Sequence, residues 1–433
     1  MIHTSLRRVF RMPNIPTKLS WSIMDQVIVS GCNFLMGLLL ARLLGLEDFG
    51  VFTLFWSILL LTVGVQTSII IYPMLTLGPK MDDRKAEKYY IASFYHQIFF
   101  SILSVITVIL LGQLFFYINE DTMFGYLIFP LAAAVGAVQL QEFLRKFQHA
   151  KLSPERAFLN DLVSHGGKIF MLSYFYIRGQ LSVELSLWVM TGTSAIGFLF
   201  FIRDLPFCKV KYDLVKTHLD DNWRFSVWLL PASLVQWLTG NIFLFLGGGL
   251  LSPTAVGAIK SAQNIMGITH VFFQALENYL PARTARLLIT SGFLDAKRYV
   301  INAGMIGLIL VVSFSFLVMR FHEYFFVFIY GDDFGKYSNL LFWYAIAYPF
   351  IYISIIMRIW ARTLEKTKLI LEAYIIMALV ACITGFPLAY YAGAEGIMFG
   401  LLVTHLVMVI TLYYKLRILK LDSELFLVKN RAS

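Results

Sequence analysis

Apolar residues along the chain come in blocks of about twenty, the length a helix needs to cross a hydrocarbon core of ~30 Å. Polar residues gather in the short gaps between blocks. The pattern predicts twelve membrane-spanning helices, at about residues 20–42, 51–75, 89–114, 123–143, 157–177, 184–202, 225–246, 253–280, 299–319, 338–357, 369–391 and 396–414. At about 20 residues each they use roughly 240 residues, leaving no room for a soluble domain. The fold class expected is an all-α polytopic membrane protein. Six spans precede the longest polar connection, about residues 203–224, and six follow it. The expected domains are therefore an N-terminal six-helix lobe, residues 1–210, and a C-terminal one, residues 211–433. An even number of spans gives both halves one orientation, so a pseudo-two-fold axis along the membrane normal should relate them.

Composition excludes the soluble alternative. Hydrophobic residues make up 58% of the 433 and charged residues 14%, whereas a soluble domain holds roughly 45–50% and 25%. The net charge of +10 raises the question of nucleic acid, and the placement of the charges answers it. With the N-terminus in the cytoplasm, 30 of the 36 Lys and Arg residues fall in the seven segments facing that side, Arg145 and Lys146 among them as loop cations. The other six, Arg42, Lys168, Arg178, Lys260, Arg320 and Lys336, lie within spans or face outside. Such a bias is the positive-inside rule at work; it puts both termini in the cytoplasm and calls for no nucleic acid. The basic N-terminus suggests a signal peptide, but the block after it is long and holds Asp25, which favours a retained span. Cys32, Cys208 and Cys382 have neither metal-ligand spacing nor a disulfide framework.

Sliding the chain by 207 positions lays Leu43-Leu44-Gly45 on Leu250-Leu251-Ser252 and Gly50 on Gly257. Both stretches read as a span, a tight outer turn, and a glycine one turn into the next helix. The stretch Ala41-Arg42-Leu43-Leu44-Gly45-Leu46-Glu47-Asp48-Phe49-Gly50 resembles the Ala-Arg-x-Leu-Gly signature of polysaccharide-biosynthesis flippases, with its acidic pair and aromatic-Gly. Leu46 stands where that signature often has Pro, a residue that would only preset the turn. Tyr330-Gly331-Asp332-Asp333-Phe334 is similar to the Gly-x-acidic/aromatic turn of the same proteins. With twelve spans in two halves, the chain resembles a Wzx-type lipid-linked oligosaccharide flippase of the multidrug/oligosaccharidyl-lipid/polysaccharide (MOP) exporter superfamily. The resemblance implies two lobes around a central cavity that opens alternately to either side. It also implies a cargo of undecaprenyl-pyrophosphate-linked sugar repeat units, moved from the cytoplasmic to the outer leaflet of the bacterial inner membrane. Expected partners are that polyprenyl-pyrophosphate-linked glycan, membrane lipids, and a polysaccharide polymerase with its chain-length machinery. A monomer without cofactor is expected.

Ionisable residues inside spans mark the candidate site, because each costs about 2.5–3.5 kcal/mol at a helix centre and has to face protein or water. Asp161, His165 and Lys168 fall at i, i+4 and i+7, one face of the fifth span, beside Asn160 and Ser164. They either line an interior that takes substrate and a coupling ion or neutralise one another as packing. Lys260 lies about seven residues into the eighth span with no acid near it in sequence. It can meet an anionic substrate or snorkel to the outer interface. Arg42 ends the first span, free to grip a phosphate as a fork or to pair with Glu47 or Asp48. Asp25, with Gln26 beside it and Asn33 two turns on, resembles the first-span cation site of some superfamily members; an interhelical hydrogen bond is its other use. The substrate-binding candidates are thus Arg42, Lys168, Lys260 and His165, and the ion-coupling candidates Asp25 and Asp161. Glu277, Glu372 and the lone histidines His96, His270 and His405 read as interfacial or packing groups, and no metal cluster is seen.

Two other functions compete. A drug or metabolite exporter of the MATE type, coupled to H+ or Na+, favours a cavity rich in acids, and Lys168 with Lys260 argues for anions instead. A membrane-embedded polymerase or glycosyltransferase needs a long outer loop or domain, and the longest outer connection is about residues 320–337. No Walker loop is present to couple ATP, so the chain is not expected to be an enzyme.

Overall fold

The computed structural model describes residues 17–119, 125–206, 212–227, 229–267, 290–364 and 366–429, with single positions 269, 273, 276, 280, 284, 287 and 288. Among the described residues there is no strand. Helix α1, Thr17–Leu44, turns at Gly45 (φ 81°) into α2, Leu46–Gln66. Glu47 and Asp48 occupy the first turn of α2, where the helix dipole favours acids. A π-turn, Thr67–Ile71, carries the same span into α3, Tyr72–Leu77. Helix α4 is Asp83–Asn119 and α5 is Ile128–Ala150. Helix α6, Pro154–Asp161, starts on a proline suited to a first turn. A second π-turn, Leu162–Gly166, joins it to α7, Gly167–Ile177. Then come α8, Val183–Phe201, α9, Tyr212–Ser226, α10, Leu229–Leu250, and α11, Pro253–Gly267. Helix α12, Phe293–Arg320, is followed by α13, His322–Tyr330, and α14, Ser338–Thr363. Helix α15 runs Thr367–Lys429 but breaks at Gly393, whose φ of 57° is left-handed. Ala373 and Met377 before the break share a buried cluster with Met408 and Leu412 after it, so the chain doubles back there as two passes.

Each expected span falls on helix, the eighth at least over α11. Among the described residues, eight stretches are long and apolar enough to cross a membrane, one of them the doubled α15. The three expected spans outside that set are α5, α6 to α7, and α11, and these carry the polar clusters described below. Large apolar side chains stand bare along α4 (Phe99, Ile102, Leu110) and α12 (Ile309, Leu310, Phe316). In water such a surface drives aggregation; against lipid tails it is the surface required.

The chain divides into two compact units. Unit 1 holds the start of α1 up to Asn33, Gln66–Gln180 and Glu184–Val227; unit 2 holds Phe34–Val65, Leu181–Val183 and everything from Trp228 on. In unit 1, Ile70, Met74, Tyr89, Phe143, Leu144 and Phe147 form a buried core where the α2-to-α3 span, α4 and α5 meet. In unit 2, α2 and α11 touch backbone to backbone. A Cβ on Gly50 would lie 1.7 Å from the Pro253 carbonyl oxygen, and one on Gly257 2.1 Å from that of Leu46. Neither clash involves a side chain that can move aside, so the helices themselves have to separate. Gly50→Ala is therefore expected to lower stability by about 1–3 kcal/mol or more, seen as earlier thermal loss of the monodisperse species in detergent. Gly64→Ala on the same helix is the control, since its new methyl meets nothing within 4 Å. Equal melting of the two variants would contradict the close approach.

Candidate functional site

Among the described residues, the candidate residues fall in two polar clusters, one in each unit. That of unit 1 centres on Arg145, near the end of α5, with its side chain only 6% exposed. Its Nη2 donates to Asp25 on α1 at 3.2 Å, and its Nη1 donates to Glu142, one turn back, at 3.2 Å. Its Nε lies 2.5 Å from Asp161 at the end of α6. One guanidinium thus gathers three carboxylates from three elements, the use to which its planar fork is suited. Asp25 also meets His149 Nε2 at 3.0 Å, and Glu142 meets Lys146 at 3.6 Å. Gln141 donates to Asn160 at 2.8 Å and to Asp161 at 3.1 Å. His165 stands 4.0 Å from Asp161. Lys168 is buried one turn beyond the π-turn. Ser164 sits against α8 at Gly197, where a Cβ would come within 2.0 Å of its hydroxyl.

The structure brings Asp25, Asp161 and His165 into one cluster, with Lys168 buried on the helix that continues from it. A π-turn, Leu162–Gly166, lies between Asp161 and Lys168, so the winding that connects them is not that of a regular α-helix. Such turns recur at functional sites. Sequence reasoning missed Arg145 as the hub, having counted it as a loop cation. Helix α5 continues seven residues past the expected span end at 143, and the extension takes Arg145, Lys146 and His149 with it. The usable signal was Gln141, Arg145 and Gln148 at helical spacing, all buried.

In unit 2 the cluster is one face of α11. Most of that helix is buried, including Val256, Ala258, Ile259, Ser261, Ala262 and Ile265. The positions left partly uncovered on one side are Lys260, Gln263, Asn264 and Gly267, at i, i+3, i+4 and i+7. A helix face turned to lipid is apolar, and one turned to water inside a membrane protein is polar. Three of these four positions, Lys260, Gln263 and Asn264, are polar, the composition of a face turned to water rather than to lipid. Among the described residues no carboxylate pairs with Lys260. Asn264 lies against α1 at Gly37, where a Cβ would come 2.8 Å from its Nδ2.

Arg42 is placed elsewhere. It is exposed at the end of α1, and neither Glu47 nor Asp48 forms an ion pair with it. Glu372 pairs with Lys415 and, at 4.0 Å, Lys368, as an interfacial carboxylate does. His96 binds the Val215 carbonyl at 2.9 Å. Glu277 and His270 lie outside the described residues.

No protein-family model and no curated protein matches the chain. Solved structures do. The lipid II flippase MurJ in an inward closed conformation superposes with a TM-score of 0.75 over 92% of this chain and 87% of its own, at 11% identity. An inward-facing multidrug resistance MATE family transporter of the MOP superfamily gives 0.70 over 95% and 97%, at 15% identity. The Vibrio cholerae MATE transporter VcmN, in a mutant form, gives 0.62 over 92% and 95%, at 14% identity. The chain has the fold that these structures share. That fold belongs to transporters and a flippase, and it spans the chain nearly end to end. At such identities the MOP likeness carries the architecture alone, and the roles of Arg145 and Lys260 rest on their own surroundings.

Proposed function

We propose that this protein is a flippase that moves undecaprenyl-pyrophosphate-linked oligosaccharide repeat units from the cytoplasmic to the outer leaflet, for surface or exopolysaccharide assembly. It acts as a monomer in the bacterial inner membrane with both termini cytoplasmic, and it hands its product to the polymerase and chain-length machinery. The observation that carries the reading is Lys260, an ammonium on a wet helix face with no carboxylate among the described residues to neutralise it. A pyrophosphate headgroup supplies the missing charge, and Gln263 and Asn264, on the same face, offer amide donors and acceptors to a glycan. A lipid II flippase of the same fold supports a lipid-linked cargo.

The rival reading, a MATE-like exporter coupled to H+ or Na+, draws on Asp25, Asp161 and Glu142. Those carboxylates already face Arg145, with Lys146 on Glu142 and His149 on Asp25, so an organic cation would have to displace partners already in place. They suit a coupling role better: a proton or Na+ at Asp25 or Asp161 competes with Arg145 for the carboxylate. Lys168 supplies positive charge beside them and His165 a ring nitrogen for hydrogen bonding, and Arg42 can meet the headgroup at the outer end of α1.

The test is leaflet-resolved measurement of lipid-linked glycan in a depletion strain lacking redundant flippases. Depletion should trap the glycan on the cytoplasmic leaflet and reduce surface polysaccharide, while assembly of the repeat unit continues. Unchanged outward appearance of the glycan, with lost efflux of an organic cation, would replace this reading with the exporter.

A further inference from the structure

The connection between the sequence halves is more than a polar loop: residues 212–226 form α9, a helix with three distinct faces. One is turned to the protein. There the Val215 carbonyl accepts from His96, Asn222 accepts from the Tyr89 hydroxyl at 2.7 Å, and the Ser226 hydroxyl donates to the Ser68 carbonyl in the first π-turn at 2.7 Å. His218 sets its ring edge-on to Tyr89. These bonds fix the rotation of α9 about its own axis. The second face is exposed and charged, with Asp213, Thr217, Asp220, Asp221 and Arg224. The third is exposed and aromatic: Tyr212, Leu219 and Trp223, 78%, 45% and 53% accessible, with Lys216 among them and no acid.

Two observations say what covers the third face. Val215, next in sequence to Lys216, holds α9 to His96 on α4, and the bare apolar surface of α4 starts beside that residue with Tyr95, Phe99 and Ile102. The helix that carries the aromatic face is thus fixed to the end of α4 from which the exposed apolar surface runs on. Second, the face's composition is that of a bilayer boundary, where Tyr and Trp rings settle at the headgroups and a Lys stem lies along apolar surface while its ammonium reaches phosphate.

We propose that α9 is an interfacial anchor, its Tyr212–Lys216–Leu219–Trp223 face seated in the lipid headgroup boundary on the side that the charge distribution assigns to the cytoplasm. The proposal rests on the membrane reading of the fold and on nothing about the cargo. The partner is phospholipid, and the attachment holds the connection between the halves in the membrane plane.

The test uses the full chain with its cysteines replaced, reconstituted in vesicles of phosphatidylethanolamine and phosphatidylglycerol. A single cysteine is introduced as Leu219→Cys or, on the charged face, Thr217→Cys, and labelled with an environment-sensitive fluorophore. The probe at 219 should shift to the blue and lose most of its emission to phospholipids brominated near the headgroup, while the probe at 217 stays water-like and open to iodide. Both positions are exposed, so neither change disturbs the packed face. Equal, water-like behaviour at the two sites would overturn the proposal. So would a probe at 219 shielded from iodide yet untouched by brominated lipid, which means a protein covers the face. Neither outcome bears on the flippase reading, because no transport is measured.

Discussion

Replacing Arg145 with leucine is expected to cost about 3–5 kcal/mol of folding free energy, the usual penalty when buried charges lose their partner. The reason lies in the count around it. Asp25, Glu142 and Asp161 all point at the one guanidinium, and leucine would leave three carboxylates crowded in a site shut off from solvent. Transport and abundance should fall together, and thermal unfolding in detergent should move down by many degrees. Arg145→Lys keeps the charge but can satisfy fewer acceptors, because an ammonium lacks the planar fork; it should fall between leucine and the native chain. Adding Asp161→Asn to Arg145→Leu removes one of the stranded charges and should restore part of the loss. If the double variant melts below the single one, Asp161 is held by something other than Arg145.

Lys260→Glu is expected to act on transport and spare folding. The position is half-buried on a hydrated face with no ion pair to break among the described residues, so the variant should insert and accumulate as usual. An incoming pyrophosphate would then meet a like charge where screening by salt is weak. Outward glycan should drop by about tenfold or more, a factor that corresponds to ~1.4 kcal/mol. Lys260→Arg keeps the charge and should retain most activity. Full transport by Lys260→Glu would remove this lysine from the mechanism, and with it the observation on which the choice of an anionic cargo stands.

The spans and the helical class were legible in the apolar blocks, and Lys260 and the Asp161 to Lys168 segment stood out as candidates because an ionisable residue inside a long apolar block is visible to a window of twenty residues. Arg145 was not, because the apolar block ends before the helix does: α5 runs on past residue 143 under protein rather than lipid, and hydropathy cannot tell a buried polar turn from a loop. The partnership of Asp25 with Arg145, 120 positions apart, is a product of tertiary packing with no local trace. The π-turn beside Asp161 escaped for a related reason, since Gly166-Gly167 permits such a turn without requiring it. Helix α9 was hidden by its own chemistry: the side chains it turns to the protein, His218, Asn222 and Ser226, are polar, while Tyr212 and Trp223 stand exposed, so it lacks the apolar buried stripe by which a soluble amphipathic helix is recognised.

The crossing of α2 and α11 is symmetric in its contacts. Leu46 and Pro253 are 207 positions apart, as are Gly50 and Gly257. Gly50 lies on the Pro253 carbonyl and Gly257 on that of Leu46, so exchanging the members of both pairs returns the same contact. That is the signature of an isologous interface, in which one patch binds its own copy across a dyad. In a homodimer of half-length subunits a single glycine would serve both sides, and its loss would count twice. In one polypeptide each side has its own codon, so the two glycines can change independently and the crossing can become asymmetric one substitution at a time.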